Sequence, residues 1–258
     1  MLSLNFLVAI TRDDMRFVQG KLAKYTNNPG RVHFQVLKRA LRFLQGTRGY
    51  GVLFSWSAAD PPPTDGPLDL RAWSDSSFAD DIDTARTTIG NVVQVNNTTV
   101  SAYSKLSTRV DSCVNHAELR AFSSVTEDAE VPATAPPGQL TVSATQSLVQ
   151  VTRTLVWIRG LKAALERRSL ASMPPTPVMV DNTGVVSMLQ AHTVKQANKH
   201  IFRALAECRE RVNLDKSAVA VNVDTKDNLA NAMTKQEPGV PASAAQLRLI
   251  TSPAPPMP

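Results

Sequence analysis

The chain has 258 residues, 43% of them apolar, which is enough to bury a core and to build one or two domains. No run approaches the roughly 18 consecutive apolar residues of a membrane span. The first ten residues lack a basic lead and a cleavage site, and Cys113 and Cys208 alone give no disulfide framework, so the sequence points to a non-secreted, intracellular protein in a reducing compartment. The net charge of +6 is uneven: residues 1–50 carry nine Lys/Arg against Asp13 and Asp14, a balance that suits either a polyanion or a solvated helix face.

In chain order, residues 4–46 have helical spacing, with Asn27-Asn-Pro-Gly30 as a turn between two patterns. The first pattern opens with Leu4, Leu7 and Val8. The second places Phe34, Leu37, Leu41 and Leu44 on one stripe beside the basic Lys38, Arg39 and Arg42. Residues 49–54 resemble a short strand. Residues 58–67, rich in Pro, Asp and Gly, break regular structure and predict a linker. Short strands are predicted at 68–74, 89–95 and 99–104, the last two joined by an Asn96-Asn97 hairpin turn.

A helix is predicted around 115–125 and another over 151–166. A compact strand at 178–181 precedes a short helix at 184–190 and a longer one marked by Val194, Ala197, Ile201, Leu205 and Val212. Val219, Val221 and Val223 alternate as a strand, and 227–234 reads as a last short helix. The tail, rich in Pro, Ala and Ser, reads as disordered. An antiparallel meander followed by β-α units implies an α/β, or α+β, mixed sheet flanked by helices.

Asp75 stands where the first strand gives way to a loop, and Glu118 and Asp181 occupy contexts that could join it. Three carboxylates from separate elements suit a hard divalent cation, which takes oxygen ligands. Taken singly, Asp75 also suits a strand-end turn, Glu118 an exposed helix position, and Asp181 a helix N-cap.

Thr11-Arg-Asp-Asp14, Asn28-Pro-Gly30 and the run Leu37 to Gly51 resemble the end of a copia-type retrotransposon reverse transcriptase. Trp73-Ser-Asp75, Thr87-Thr-Ile-Gly90, Ser104-Lys105, Ala117-Glu118, Val180-Asp-Asn182, Asn198-Lys-His-Ile201 and Asn228 to Lys235 resemble the RNase H domain of the same polyprotein. The resemblance runs over nearly all of residues 2–236.

It implies a small helical reverse-transcriptase remnant over 1–55, a linker over 56–67 and an RNase H-like domain over 68–236. That domain would have a five-stranded mixed sheet, with the tail filling 237–258. It also implies cleavage of the RNA strand of an RNA–DNA hybrid, with Mg²⁺, or Mn²⁺ in its place, as cofactor. The protein would be part of, or derived from, a polyprotein, with no membrane partner. The Tyr-x-Asp-Asp motif of a polymerase is absent from the sequence, so no polymerase activity is expected of it.

By the resemblance, Asp75, Glu118 and Asp181 fill three of four acidic catalytic positions, with Asp75 bridging two ions. Asn231 fills the fourth, where an amide offers an oxygen without charge. Asp227, four residues earlier, is expected on the same helix face, as a substitute ligand or an N-cap. Lys105, Arg109, Lys195, Lys199, His200 and Arg203 are expected phosphate contacts, since a hybrid is read by shape and backbone. His200 also suits a packed or product-steering imidazole. Glu118 and Trp157 would share one continuous helix in the family but lie 39 positions apart here, and Pro132, Pro136 and Pro137 predict an inserted loop over about 126–150. These departures leave a second reading open, a catalytically weak or inactive remnant that keeps the fold and binds nucleic acid.

Overall fold

A computed structural model describes residues 2–52, 68–126, 154–191, 193 and 200–235. The expected linker, the Pro-rich insertion beyond Thr126 and the tail beyond Lys235 lie outside the described residues, as do Lys195 and Lys199.

The N-terminal part is helical, with α1 (Leu2–Ile10), α2 (Arg16–Lys24) and α3 (Arg31–Gly46) around a small core of Leu4, Val8, Met15, Val18, Leu22 and Ala40. The expected stripe on α3 is rotated. Leu37, Phe43 and Leu44 pack on this core with Ala40, whereas Phe34 and Leu41 face solvent. The 37-40-44 row is the inward one, because Ala40 is small enough to let α2 approach. Buried Arg12 grips buried Asp14 through two hydrogen bonds of 2.9 and 2.8 Å and donates to the carbonyl and hydroxyl of Thr47 at 3.1 and 2.7 Å. This pair ties the chain between α1 and α2 to the end of α3. Of the expected strand at 49–54, only an isolated bridge at Gly51 falls within the described residues.

The basic charge of this part is partly satisfied within the chain. Lys21 meets Asp80 at 2.6 Å, and Lys24 meets Asp81 and Asp83, each at 2.6 Å. Tyr25 donates to Asp83 at 2.8 Å. A polyanion is therefore not the only counter-charge available to residues 1–50.

The remaining residues form a five-stranded mixed sheet flanked by helices. Its strands are β1 (Leu70–Ser77), β2 (Thr88–Val95), β3 (Thr98–Leu106), β4 (Thr176–Val180) and β5 (Ala218–Asn222), in the order β3-β2-β1-β4-β5. The first three make an antiparallel meander, turning at Asn96 and Asn97 with φ of 49° and 64°. A left-handed pair at both turn positions matches the twist of the strands it joins. β4 and β5 add in parallel on the other side of β1. This order and pairing are the five-stranded mixed sheet expected from the sequence.

The helices are α4 (Val114–Thr126), α5 (Thr154–Leu165), α6 (Thr183–Gln190), α7 (Phe202–Arg209) and α8 (Asn231–Thr234). One face of the sheet packs Leu70, Ala72, Val178, Val180, Ala218 and Ala220 against Leu119, Phe122, Leu155, Ile158 and Leu205. Burial of each large side chain there contributes about 1.5–3 kcal/mol. The other face packs Trp73, Val92 and Ala102 against Leu229, Ala230 and Met233 around α8. On β5 the alternating valines are the outer row: Val219 and Val221 are exposed, and the alanines enter the core. Among the described residues, no helix is long and apolar enough to cross a membrane.

Candidate metal centre

β1 is the middle strand, so its residues are covered on both faces. Leu70 and Ala72 enter one core, Trp73 the other, and Asp75 continues the row of Trp73. Asp75 is 1% exposed. α4 packs across β1 and β2 and brings in Glu118, which is 4% exposed. β4 runs parallel to β1, so Asp181, just past its end, emerges beside the same strand end. Asp75, Glu118 and Asp181 each offer a ligand oxygen, and these atoms lie within 4.8 Å of one another.

The polar atoms at this strand end are not satisfied internally. Asp75 Oδ1, Glu118 Oε2, the Ser74 hydroxyl and Asn231 Oδ1 are buried with no hydrogen-bond partner. Such atoms are costly unless something binds them. Burial pushes the Asp75 carboxyl up to about 6; Asp181 adds to the rise, while Lys235 and the Thr234 hydroxyl oppose it. Burial also pushes Glu118 up to about 8, with the Asp75 charge adding to it. A divalent cation would reverse this, since it favours the ionised form of every carboxylate around it. An all-oxygen donor set with orphaned oxygens fits a hard cation.

The fourth side is built by α8. Thr234 Oγ1 donates to Asp75 Oδ2, and Lys235 Nζ stands 3.6 Å from the same oxygen. Asn231 begins this helix, and its Nδ2 donates to the carbonyl of Thr225. Asp227 is not on the helix of Asn231. It ends a separate 3-10 turn, Thr225–Asp227, is exposed, and is followed by extended backbone at Asn228. Asn228 breaks the expected helix because its side chain donates to the Ser74 carbonyl and accepts from the Ala230 amide. Asp224 holds the N-cap position of that turn and Ala230 that of α8, so neither N-cap position is Asp227. The cap of α6 is Asn182, which accepts from Val185 N at 3.2 Å, so the N-cap reading of Asp181 falls to its neighbour.

Thr234, Lys235 and Gly90 were legible in the sequence only as parts of matching segments. Positions three and four after Asn231 share its helix face, which is the signal that would have found the first two. Gly90 pairs with Asp75 in the β1–β2 ladder. A Cβ there would lie 2.6 Å from Met233 Cβ and 2.9 Å from the Ala230 carbonyl, so glycine is what lets α8 lie on the sheet.

Four of the six expected phosphate contacts fall within the described residues. Lys105 lies on β3, with its pKa lowered by burial. Arg109 is exposed in the loop after β3. Arg203 is exposed and pairs with Glu207 at 3.0 Å. His200 Nε2 sits 3.4 Å from Cys113 Sγ, at the start of α4.

No family model matches the chain. It is 32% identical over 124 residues to the secreted RxLR effector protein 161 of Plasmopara viticola, covering 48% of this chain and 82% of that protein. It is 27% identical over 233 residues to the retrovirus-related Pol polyprotein from transposon RE2 of Arabidopsis thaliana, covering 90% of this chain and 13% of the polyprotein. Against the Pol polyprotein from transposon TNT 1-94 of Nicotiana tabacum it is 26% identical over 236 residues, covering 92% of the chain and 15% of the relative. The chain thus spans a small part of the polyproteins it matches. Among solved structures, LC11-RNase H1 in complex with an RNA/DNA hybrid covers 64% of this chain and 93% of its own at 14% identity, with a TM-score of 0.38. RNase H1 from the halophilic archaeon Halobacterium salinarum gives a TM-score of 0.37 at 13% identity, over 64% of this chain and 93% of its own.

Proposed function

We propose that the chain is a segment of a copia-type retrotransposon Pol polyprotein, to which it is 27–28% identical over 233 residues, and that it hydrolyses the RNA strand of RNA–DNA hybrids endonucleolytically, using divalent metal held by Asp75, Glu118 and Asp181. The observation that carries the proposal is the meeting of three carboxylates with orphaned buried oxygens at one strand end. Mg²⁺ is the proposed ion, with Mn²⁺ as its substitute, because all the donors are hard oxygens. When bound, two such ions supply an activated water and a stabilised leaving oxygen.

The chain's own residues set the geometry. Asp75 is held at Oδ2 by Thr234 and faced there by Lys235, which leaves Oδ1 for a ligand. Glu118 and Asp181 approach from different elements, so each can hold one side. Asn231 offers Oδ1 from α8 without a charge. Lys105, Arg109, Lys195, Lys199, His200 and Arg203 are proposed to meet the hybrid's backbone, so binding should weaken steeply with salt. Residues 1–55 are proposed as the reverse-transcriptase remnant and 68–236 as the nuclease domain.

A second reading, a weak or inactive nuclease that retains nucleic-acid binding, is favoured by one observation. The fourth position is neutral, and its amide nitrogen is engaged with Thr225. One assay separates the two: cleavage of a labelled hybrid with Mg²⁺ and with Mn²⁺, beside an Asp75→Asn control. Metal-dependent cleavage lost in the control supports the first reading; hybrid binding without cleavage under either metal supports the second.

A further inference from the structure

We propose that the end of the sheet opposite the carboxylate cluster carries an oxyanion-binding site, in which the open edge of Arg159 receives a carboxylate or phosphate group attached to a partly apolar body, beside Lys162, whose Nζ donates to the Leu68 carbonyl and pairs with Glu166. The site is independent of the metal centre. It opens at the starts of β1 and β4, about 17 Å along β1 from Asp75 at roughly 3.3 Å per residue.

A cavity of about 250 Å³ lies there, lined by Leu68, Leu70, Met173 and Pro175 and by the side chains of Arg159 and Lys162 from α5. Residues three apart on a helix share a face, so both cations address the same space. Arg159 is 5% exposed and Lys162 7%. Arg159 uses only Nη1, which donates to the Pro174 carbonyl at 2.8 Å and to Thr176 Oγ1 at 2.7 Å. Its Nε and Nη2 have no protein partner among the described residues, and no described carboxylate pairs with it. A buried guanidinium left without a counter-charge is unfavourable, and burial lowers its pKa.

Neither described carboxylate near the cavity pairs with Arg159, and Glu166 Oε2 is itself buried without a hydrogen-bond partner. Glu166 lies 3.6 Å from Lys162 Nζ and accepts from Leu68 N at 2.8 Å, and Asp69, at the cavity rim, pairs with Arg71 at 2.6 Å. The open Nε and Nη2 edge of Arg159 is the fork that takes an oxyanion through two parallel hydrogen bonds. The Leu, Met and Pro walls suit an apolar body behind that group.

The test is an NMR titration of the full chain, following the Arg159 Nε–H resonance with inorganic phosphate, benzoate and a short single-stranded oligonucleotide, each at matched ionic strength against chloride. A saturable shift of that resonance supports the site. A larger response to benzoate identifies a small organic acid as the ligand source, and a response to the oligonucleotide alone identifies a nucleic-acid phosphate. Arg159→Lys, followed together with wild type through the backbone amide resonances of Leu70 and Thr176 at the cavity wall, keeps the charge but loses the fork and should weaken binding by about tenfold or more. Pro175→Asp, at an exposed position on the cavity wall, adds a repelling charge without touching Arg159 and should weaken binding by a similar factor, which keeps the test valid if the Arg159 variant misfolds; unchanged binding in it would count against the site. Shifts no greater than chloride produces, or binding unchanged in Arg159→Lys, would overturn the proposal.

Discussion

Gly90 lies directly opposite Asp75 in the β1–β2 ladder, and the side chain it lacks is what allows Thr234 to reach the Asp75 carboxylate from 159 positions away in sequence. Gly90→Ala would place a methyl 2.7 Å from Thr234 Cγ2 and 2.6 Å from Met233 Cβ. Neither is the far end of a flexible side chain, so α8 must move. Overpacking of this kind costs about 1–3 kcal/mol. The expected outcome is a lower Tm together with weaker Mg²⁺ binding by calorimetry. An unchanged metal affinity would show that α8 does not position the site.

Asn231→Asp restores a charge at the fourth position. A divalent ion held beside this position would be bound more tightly, and the rate of hybrid cleavage should rise by about tenfold, equivalent to about 1.4 kcal/mol. A rate equal to wild type under saturating Mg²⁺ would remove the argument from the missing carboxylate.

Stability of the metal-free protein should fall as pH rises from about 4 to 8. Asp75 and Glu118 are raised from 3.8 to about 6 and from 4.5 to about 8. In that window the folded state still holds protons that the unfolded state has released, so raising the pH favours unfolding. Below the ordinary carboxylate values both states are protonated and the penalty is absent. Divalent metal should flatten the slope above pH 6, because it binds the ionised forms. Urea midpoints at several pH values, with Mg²⁺ and with a chelator, measure this; equal slopes in the two conditions would argue against metal binding at these carboxylates.

Asp75→Asn should separate stability from function. It removes a buried charge beside two other carboxylates, yet its side-chain oxygen can still accept from Thr234. The metal-free variant should therefore melt higher than wild type at pH 8, a trade between stability and activity at a functional site. It should also lose the stabilisation that Mg²⁺ gives wild type, about 2.7 kcal/mol at a hundred times Kd. A variant that melts lower and still responds to Mg²⁺ would contradict both expectations.

Sequence by itself determined the order and type of nearly every described element, because each rests on local periodicity: alternation in β1 to β3, the Asn96-Asn97 turn, and the 3.6-residue repeats of the helices. It also marked Asp75, Glu118 and Asp181, since each falls in a short matching segment and at the end or on the face of such an element. Three things were decided only by tertiary structure. α3 turns Ala40 inward and Phe34 outward, because the helix it packs against selects the face. Asp227 and Asn231 are parted, because Asn228 bonds to Ser74 on a distant strand and interrupts the helix that local pattern favoured. Thr234 and Lys235 stand at Asp75, and Arg159 stands buried beside Thr176, because these relationships join residues far apart in the chain. Periodicity reports which way a side chain leaves its own element; only packing fixes what it meets there.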